Sequence, residues 1–158
     1  MVGKLGSDNP HFSRLSPDEQ MTQITLWSMA AAPLTLACDL TQLDPNHFFP
    51  STTSLLTNDE VIDVDQDALG KAGRRVYGDE GIEVWTRPLQ DGSTAVAVFN
   101  LDWRRNVKVT WDQLGLVGPL AVRDLWHHND LGVQPGISVE LRMHGCGLYK
   151  VSAAAKSS

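Results

Sequence analysis

Ile82-Glu83-Val84-Trp85-Thr86-Arg87-Pro88-Leu89 and Thr94-Ala95-Val96-Ala97-Val98-Phe99-Asn100 flank Gln90-Asp91-Gly92-Ser93. Two runs rich in β-branched and aromatic residues around an Asp-Gly predict an antiparallel hairpin. The pattern continues downstream. Asn106–Trp111 puts Val107, Val109 and Trp111 on one face and Asn106, Lys108 and Thr110 on the other. Ile137–Arg142 alternates in the same way, with Ile137, Val139 and Leu141 opposite Ser138, Glu140 and Arg142. Val76–Asp79, Leu120–Trp126 and Gly147–Ser152 complete the strand candidates. Half-buried alternation between regular turns predicts an antiparallel β-sandwich over residues 74–153, followed by a disordered tail at 154–158.

Upstream the periodicity changes. Ser16-Pro17-Asp18-Glu19 is a capping box with proline at the first helical position. Met21, Ile24, Trp27 and Ala31 follow at helical spacing, and Pro33 is expected to end the helix. Its second half is apolar on most sides, as suits a helix wedged between other elements. Leu34–Cys38 reads as a strand covered on both faces. Asp44-Pro45 reads as another cap, Phe48–Thr53 carries no clear signal, and Asn58-Asp59-Glu60 starts a helix running toward Leu69, with Gly70 as its stop. A buried parallel strand needs parallel neighbours, so this piece reads as the end of an α/β domain.

Composition supports two units. The 158 residues carry a net charge of −6, but residues 1–73 hold ten acidic and three basic residues, and residues 74–158 hold nine and ten. Four of the five tryptophans lie in the second part. The boundary is expected near Gly70–Arg74, giving units 1–73 and 74–153. The acidic balance argues against nucleic acid as a partner, and no apolar run is long enough for a membrane helix. No basic, apolar leader follows Met1. Cys38 and Cys146 are too few for a disulfide framework or thiolate metal site, and they fall in different units.

Four clusters invite chemistry. Asp63, Asp65 and Asp67 resemble a calcium loop, but Ala68 stands where glycine is required and Arg74 where the bidentate glutamate belongs. They read as a solvated helix face with some capping. His127-His128-Asn129-Asp130 lacks a second ligand cluster and reads as a surface loop, with Asn129-Asp130-Leu131-Gly132 as a turn. His144-Gly145-Cys146 reads as a turn before a strand, since adjacent residues rarely present nucleophile and base geometry. Among Trp85, Trp103, Trp111 and Trp126, packing is the expected role; Trp103, beside Arg104 and Arg105, is the best candidate for an exposed sugar-stacking platform. No carboxylate pair, triad or phosphate loop emerges.

The motifs taken together resemble a known family. Ser16–Gln20 leading to Leu26-Trp27-Ser28-Met29 and Ala32-Pro33-Leu34, then Cys38-Asp39-Leu40, Leu56–Ile62 and Asp65–Gly70, are similar to the late barrel of α-galactosidases of glycoside hydrolase family twenty-seven, the melibiase clan. Glu83-Val84-Trp85, Arg123–Trp126 with His128, Asp130-Leu131-Gly132 and His144-Gly145-Cys146 resemble its C-terminal β-domain. Asp65 and Ala68 depart from the family's Asn-Gln-Asp-Pro-Leu-Gly run.

The resemblance implies an α/β plus all-β fold: the truncated C-terminal end of a TIM (β/α)8 barrel, then an antiparallel β-sandwich. It implies a retaining hydrolase of terminal α-galactosides with an aspartate nucleophile and an aspartate acid/base, both on earlier barrel strands. No residue of this chain therefore takes a catalytic, substrate-binding, cofactor or metal role. The chain alone is expected to be inactive and cofactor-free, with α-galactoside a substrate of the full-length parent. Its expected partners are a separately encoded N-terminal barrel portion or a second copy. A non-catalytic sandwich that packs on a barrel or binds carbohydrate is the alternative. Localisation stays open.

Overall fold

The computed structural model describes residues 4–5, 11–36 and 52–154. Short strands β1 (Lys4–Leu5) and β2 (His11–Phe12) pair antiparallel. Helix α1 (Pro17–Ala30) follows, then α2 (Thr52–Leu56) and α3 (Asp59–Asp65). Next come β3 (Arg74–Asp79), β4 (Ile82–Pro88), β5 (Thr94–Asn100), β6 (Arg105–Thr110), the single-turn α4 (Trp111–Leu114), β7 (Leu120–Asp124), β8 (Asn129–Gln134), β9 (Gly136–Leu141) and β10 (Cys146–Ala153).

The predicted hairpin is present, with Pro88 opposite Thr94 and Ile82 opposite Asn100. It lies within a six-stranded antiparallel sheet of order β3-β4-β5-β10-β7-β8, and β6 with β9 forms a second, two-stranded sheet. Strand alternation sorts the six-stranded sheet into two apolar faces. Val84, Val96, Val98, Tyr149 and Val151 face Val107, Val109, Ile137, Leu141 and Trp111, making the sandwich core. Ala95, Ala97, Phe99, Cys146 and Leu148 face the other way, against Ile24 and Met29 of α1 and Val61 and Val64 of α3. Every residue of β5 from Ala95 to Asn100 is consequently buried, because helices cover one side and the small sheet the other.

The α1 capping box forms as the sequence indicates: the Ser16 hydroxyl accepts from Glu19 N at 3.2 Å, and the Glu19 carboxylate accepts from Ser16 N at 2.8 Å. The helix stops at Ala30, before Pro33, with Ala31 in the left-handed region at φ 51°. At α3 the Asn58 side chain accepts from Val61 N at 3.1 Å and donates to Leu125 O at 3.0 Å, so one residue both caps the helix and ties it to the sandwich.

Four expectations change. Leu34–Leu36 belongs to no strand, while Ala37 and Cys38 lie outside the described residues, as do Asp44-Pro45 and residues 48–51. Every strand pair among the described residues is antiparallel, so Leu34–Leu36 has no parallel neighbour to join. The helix toward Leu69 ends at Asp65, where the Asp67 carboxylate accepts from Leu69 N and Gln90 N and turns the chain. Trp111 reaches the core from α4 rather than from a strand, its indole donating to Gln134 O at 2.7 Å. Asn129-Asp130-Leu131-Gly132, read as a turn, lies in the edge strand β8; the strand's residues are largely exposed on both faces, which erased the alternation that marks a strand. Of the expected tail, residues 155–158 lie outside the described residues.

Candidate functional site

The polar groups concentrate where the helices meet the sheet. Arg87 stands on β4 on the same face as Glu83 and Trp85, and is fully buried. Its guanidinium donates to Ser28 O in the last turn of α1 and, at 3.2 Å, to Asp65 O at the end of α3. A cation there meets the negative ends of two helices at once. Burial lowers the Arg87 pKa, and Asp67 and Asp65 oppose that shift. Burial also raises the pKa of Asp65, whose Oδ1 is enclosed. The aspartate triplet is therefore not one solvated face. Asp63 is exposed, Asp65 is partly buried beside Arg87, and Asp67 holds the β4–β5 loop through Gln90 N at 3.0 Å.

A second tie lies at α3. Glu60 accepts from Arg123 Nε at 2.8 Å and Nη2 at 2.6 Å, and pairs with His128 Nδ1 at 2.7 Å. The Arg123 hydrogen bonds dominate in holding the Glu60 carboxyl down to about 2. Arg123 also pairs with Asp130 at 3.1 Å, and His127 pairs with Asp124 at 2.9 Å. The two adjacent histidines thus serve different carboxylates and converge on no common point. Among the described residues no group of three or more His, Cys, Asp or Glu could hold a metal ion.

The third tie joins α1 to β10. His144, left-handed at φ 60°, pairs with Glu19 at 2.8 Å, and its carbonyl accepts from the Thr22 hydroxyl at 2.7 Å. Thr25 Oγ1 lies 3.2 Å from Cys146 Sγ and accepts from the Trp126 indole at 2.9 Å. Burial pushes the Cys146 thiol up to about 11, so it is a neutral packing group and no nucleophile. His144-Gly145-Cys146 is a structural turn, as its sequence suggests. Trp111 is buried, Trp85 and Trp126 are half-buried, and Trp103 is 73% exposed. Asn58, Glu60, Arg87 and Arg123 were not singled out from the sequence as anchors. The available signal was Arg87 itself, an arginine near the end of a strand candidate that also carries Val84 and Trp85.

This arrangement positions the helices against the sheet. No helix among the described residues is long and apolar enough to cross a membrane. The family model for the α-galactosidase C-terminal β-sandwich domain matches residues 79–151, and that for α-galactosidase A matches residues 11–67. The chain belongs to glycoside hydrolase family twenty-seven, the α-galactosidases, and corresponds to their C-terminal portion.

Within this family, the chain is 36% identical over 138 residues to an α-galactosidase of Oryza sativa subsp. japonica, covering 85% of this chain and 32% of that protein. It thus spans about a third of the length of the curated relatives it matches. The structure is similar to a GH27 β-L-arabinopyranosidase from Geobacillus stearothermophilus, with a TM-score of 0.88 and 33% identity over 99% of this chain and 36% of that one. It is also similar to α-galactosidase I from Mortierella vinacea, with a TM-score of 0.80 and 26% identity over 91% of this chain and 38% of that one. The fold is that family's barrel end followed by its C-terminal β-sandwich. Asp65, one of the two departures noted in the family's run, is the residue whose carbonyl Arg87 binds; the tie uses backbone and does not require asparagine there.

Proposed function

We propose that the chain forms the closing helices and C-terminal sandwich of a retaining glycoside hydrolase acting on terminal α-galactosides. The stereochemically matched β-L-arabinopyranosides, which lack only the C6 hydroxymethyl group, belong to the same substrate class. In the reaction implied by the family, one aspartate attacks the anomeric carbon and a second protonates the leaving oxygen, then activates water. In that family scheme both aspartates belong to earlier barrel strands. The part played by the described residues is positional: they fix α1 and α3 against the sandwich.

The observation that carries this reading is the double-sided use of α1. One side packs on the sheet through Met29 and is tied by Arg87 and Thr25. The other borders an apolar hollow of about 140 Å³ lined by Trp27, Leu34, Leu36, Leu55 and Ile62, where Leu36 is exposed. A helix packed on one side and apolar on the other suits a barrel layer. Purified 158-residue chain is expected to release no nitrophenol from p-nitrophenyl α-galactopyranoside above buffer. Turnover by the chain alone would overturn this division of labour.

A further inference from the structure

At one end of the sandwich a cleft of about 320 Å³ opens between α1, β9 and β10, within the usual size range of small-ligand sites, ~300–1,000 Å³. Met21, Trp126 and Leu141 give it apolar walls. Asp124 and His127, paired at 2.9 Å, line it as well. Gly147 and Tyr149 of β10 also line it, and the Tyr149 ring folds back over Gly147, where a Cβ atom would stand 2.6 Å from the phenol oxygen.

Tyr149 is only 3% exposed, yet its hydroxyl has no hydrogen-bond partner among the described residues. The hydroxyl oxygen itself is not fully enclosed, so it can meet a ligand in the cleft. Burial pushes its pKa up, so it remains a neutral donor. The carboxylates on the cleft wall have basic partners: Asp18 with Arg142, Glu140 with Arg104, and Asp124 with His127. A wall whose charges are already paired favours a neutral ligand over an ionic one, and the polar lining disfavours a purely apolar one. A neutral ring with one apolar face and hydroxyls at its edge fits both conditions.

We propose that this cleft binds one neutral pyranose unit. Its apolar face packs on Trp126 and Met21, and its hydroxyls meet the Tyr149 hydroxyl and the Asp124–His127 pair. The inference stands on the cleft alone, so it survives or fails independently of the hydrolytic reading. The test is NMR titration of the ¹⁵N-labelled chain with methyl α-D-galactopyranoside and methyl α-D-glucopyranoside, up to about 100 mM to register millimolar affinity. Saturable shifts are expected at the amides of His127, Cys146 and Gly147 with at least one of the two sugars. Tyr149→Phe, which keeps the ring and its packing, should weaken binding about tenfold by removing one hydrogen bond. Trp103→Ala should leave the affinity unchanged. Absence of saturable shifts with both sugars, or undiminished binding by Tyr149→Phe, overturns the proposal. So do shifts confined to Leu101–Arg105 and abolished by Trp103→Ala, which would place the sugar on the exposed tryptophan.

Discussion

The two faces of the six-stranded sheet are built by different means. The inner face relies on branched side chains, Val84, Val96, Val98 and Val151, set against Val107, Val109 and Ile137, with Trp111 among them. Its partners all come from residues after Arg74, and shape and apolar area suffice. The outer face has alanines at the corresponding positions of β5, Ala95 and Ala97, which let the helices approach closely. It adds directed polar ties through Arg87, Asn58, Arg123 and the Thr25–Trp126 pair. Apolar packing tolerates many partners, whereas a buried hydrogen bond accepts few. The inner face is therefore self-sufficient, and the outer face is committed to these particular helices.

The largest test of that contrast is Trp111→Ala, expected to cost about 3–5 kcal/mol as a cavity opens among the inner-face valines. Because β5 belongs to both cores, helix and sheet signals should collapse together in urea. If far-UV helix signal outlasted the loss of sheet structure, the dependence of the outer layer on the inner core would be refuted. Arg87→Ala comes next, at about 3 kcal/mol, through unpaired carbonyls at Ser28 and Asp65 and an uncompensated Asp65. Here the two layers should separate. Amide protection in α1 and α3 should fall while β6 and β9 keep theirs, and equal losses in both layers would contradict a self-sufficient inner face.

The smallest effect is expected at Glu60→Gln, about 1 kcal/mol after allowance for solvent screening. The Glu60 carboxyl titrates near 2 in the folded chain, below its ordinary unfolded value. Its stabilising effect is therefore full above the ordinary carboxylate range and is lost as pH falls toward 2. Melting temperatures of parent and Glu60→Gln should differ at pH 6 and converge near pH 2. A gap that persisted undiminished in acid would show that Arg123 and His128 are not what depresses this carboxyl.

The same contrast explains what was legible in the sequence. Strand alternation and the Asp-Gly turn expose a face that buries apolar residues, so the hairpin and the β6 and β9 faces could be read directly. β8 could not, because an edge strand exposed on both sides has no apolar period. The helix start at Ser16 was written in local capping chemistry, while the end of α3 depended on Asp67 reaching Gln90 in another element. The pairing of Glu60 with Arg123 joins residues 63 positions apart, and the cleft joins Met21 to Tyr149. Neither leaves a spacing signature, since each is produced by three-dimensional packing. The family resemblance was legible because it rests on the order of whole motifs.

At Gly73 the chain crosses from helices to sheet. Its amide donates to Met29 O at 2.6 Å, and a Cβ added there would lie 2.9 Å from that oxygen and 3.1 Å from Thr86 O. Backbone passes over backbone at that point with no room for a side chain. The crossing is thus a weld between the two layers and not a swivel. A spacer inserted beside Gly73 would draw Arg87 off the two helix ends it joins.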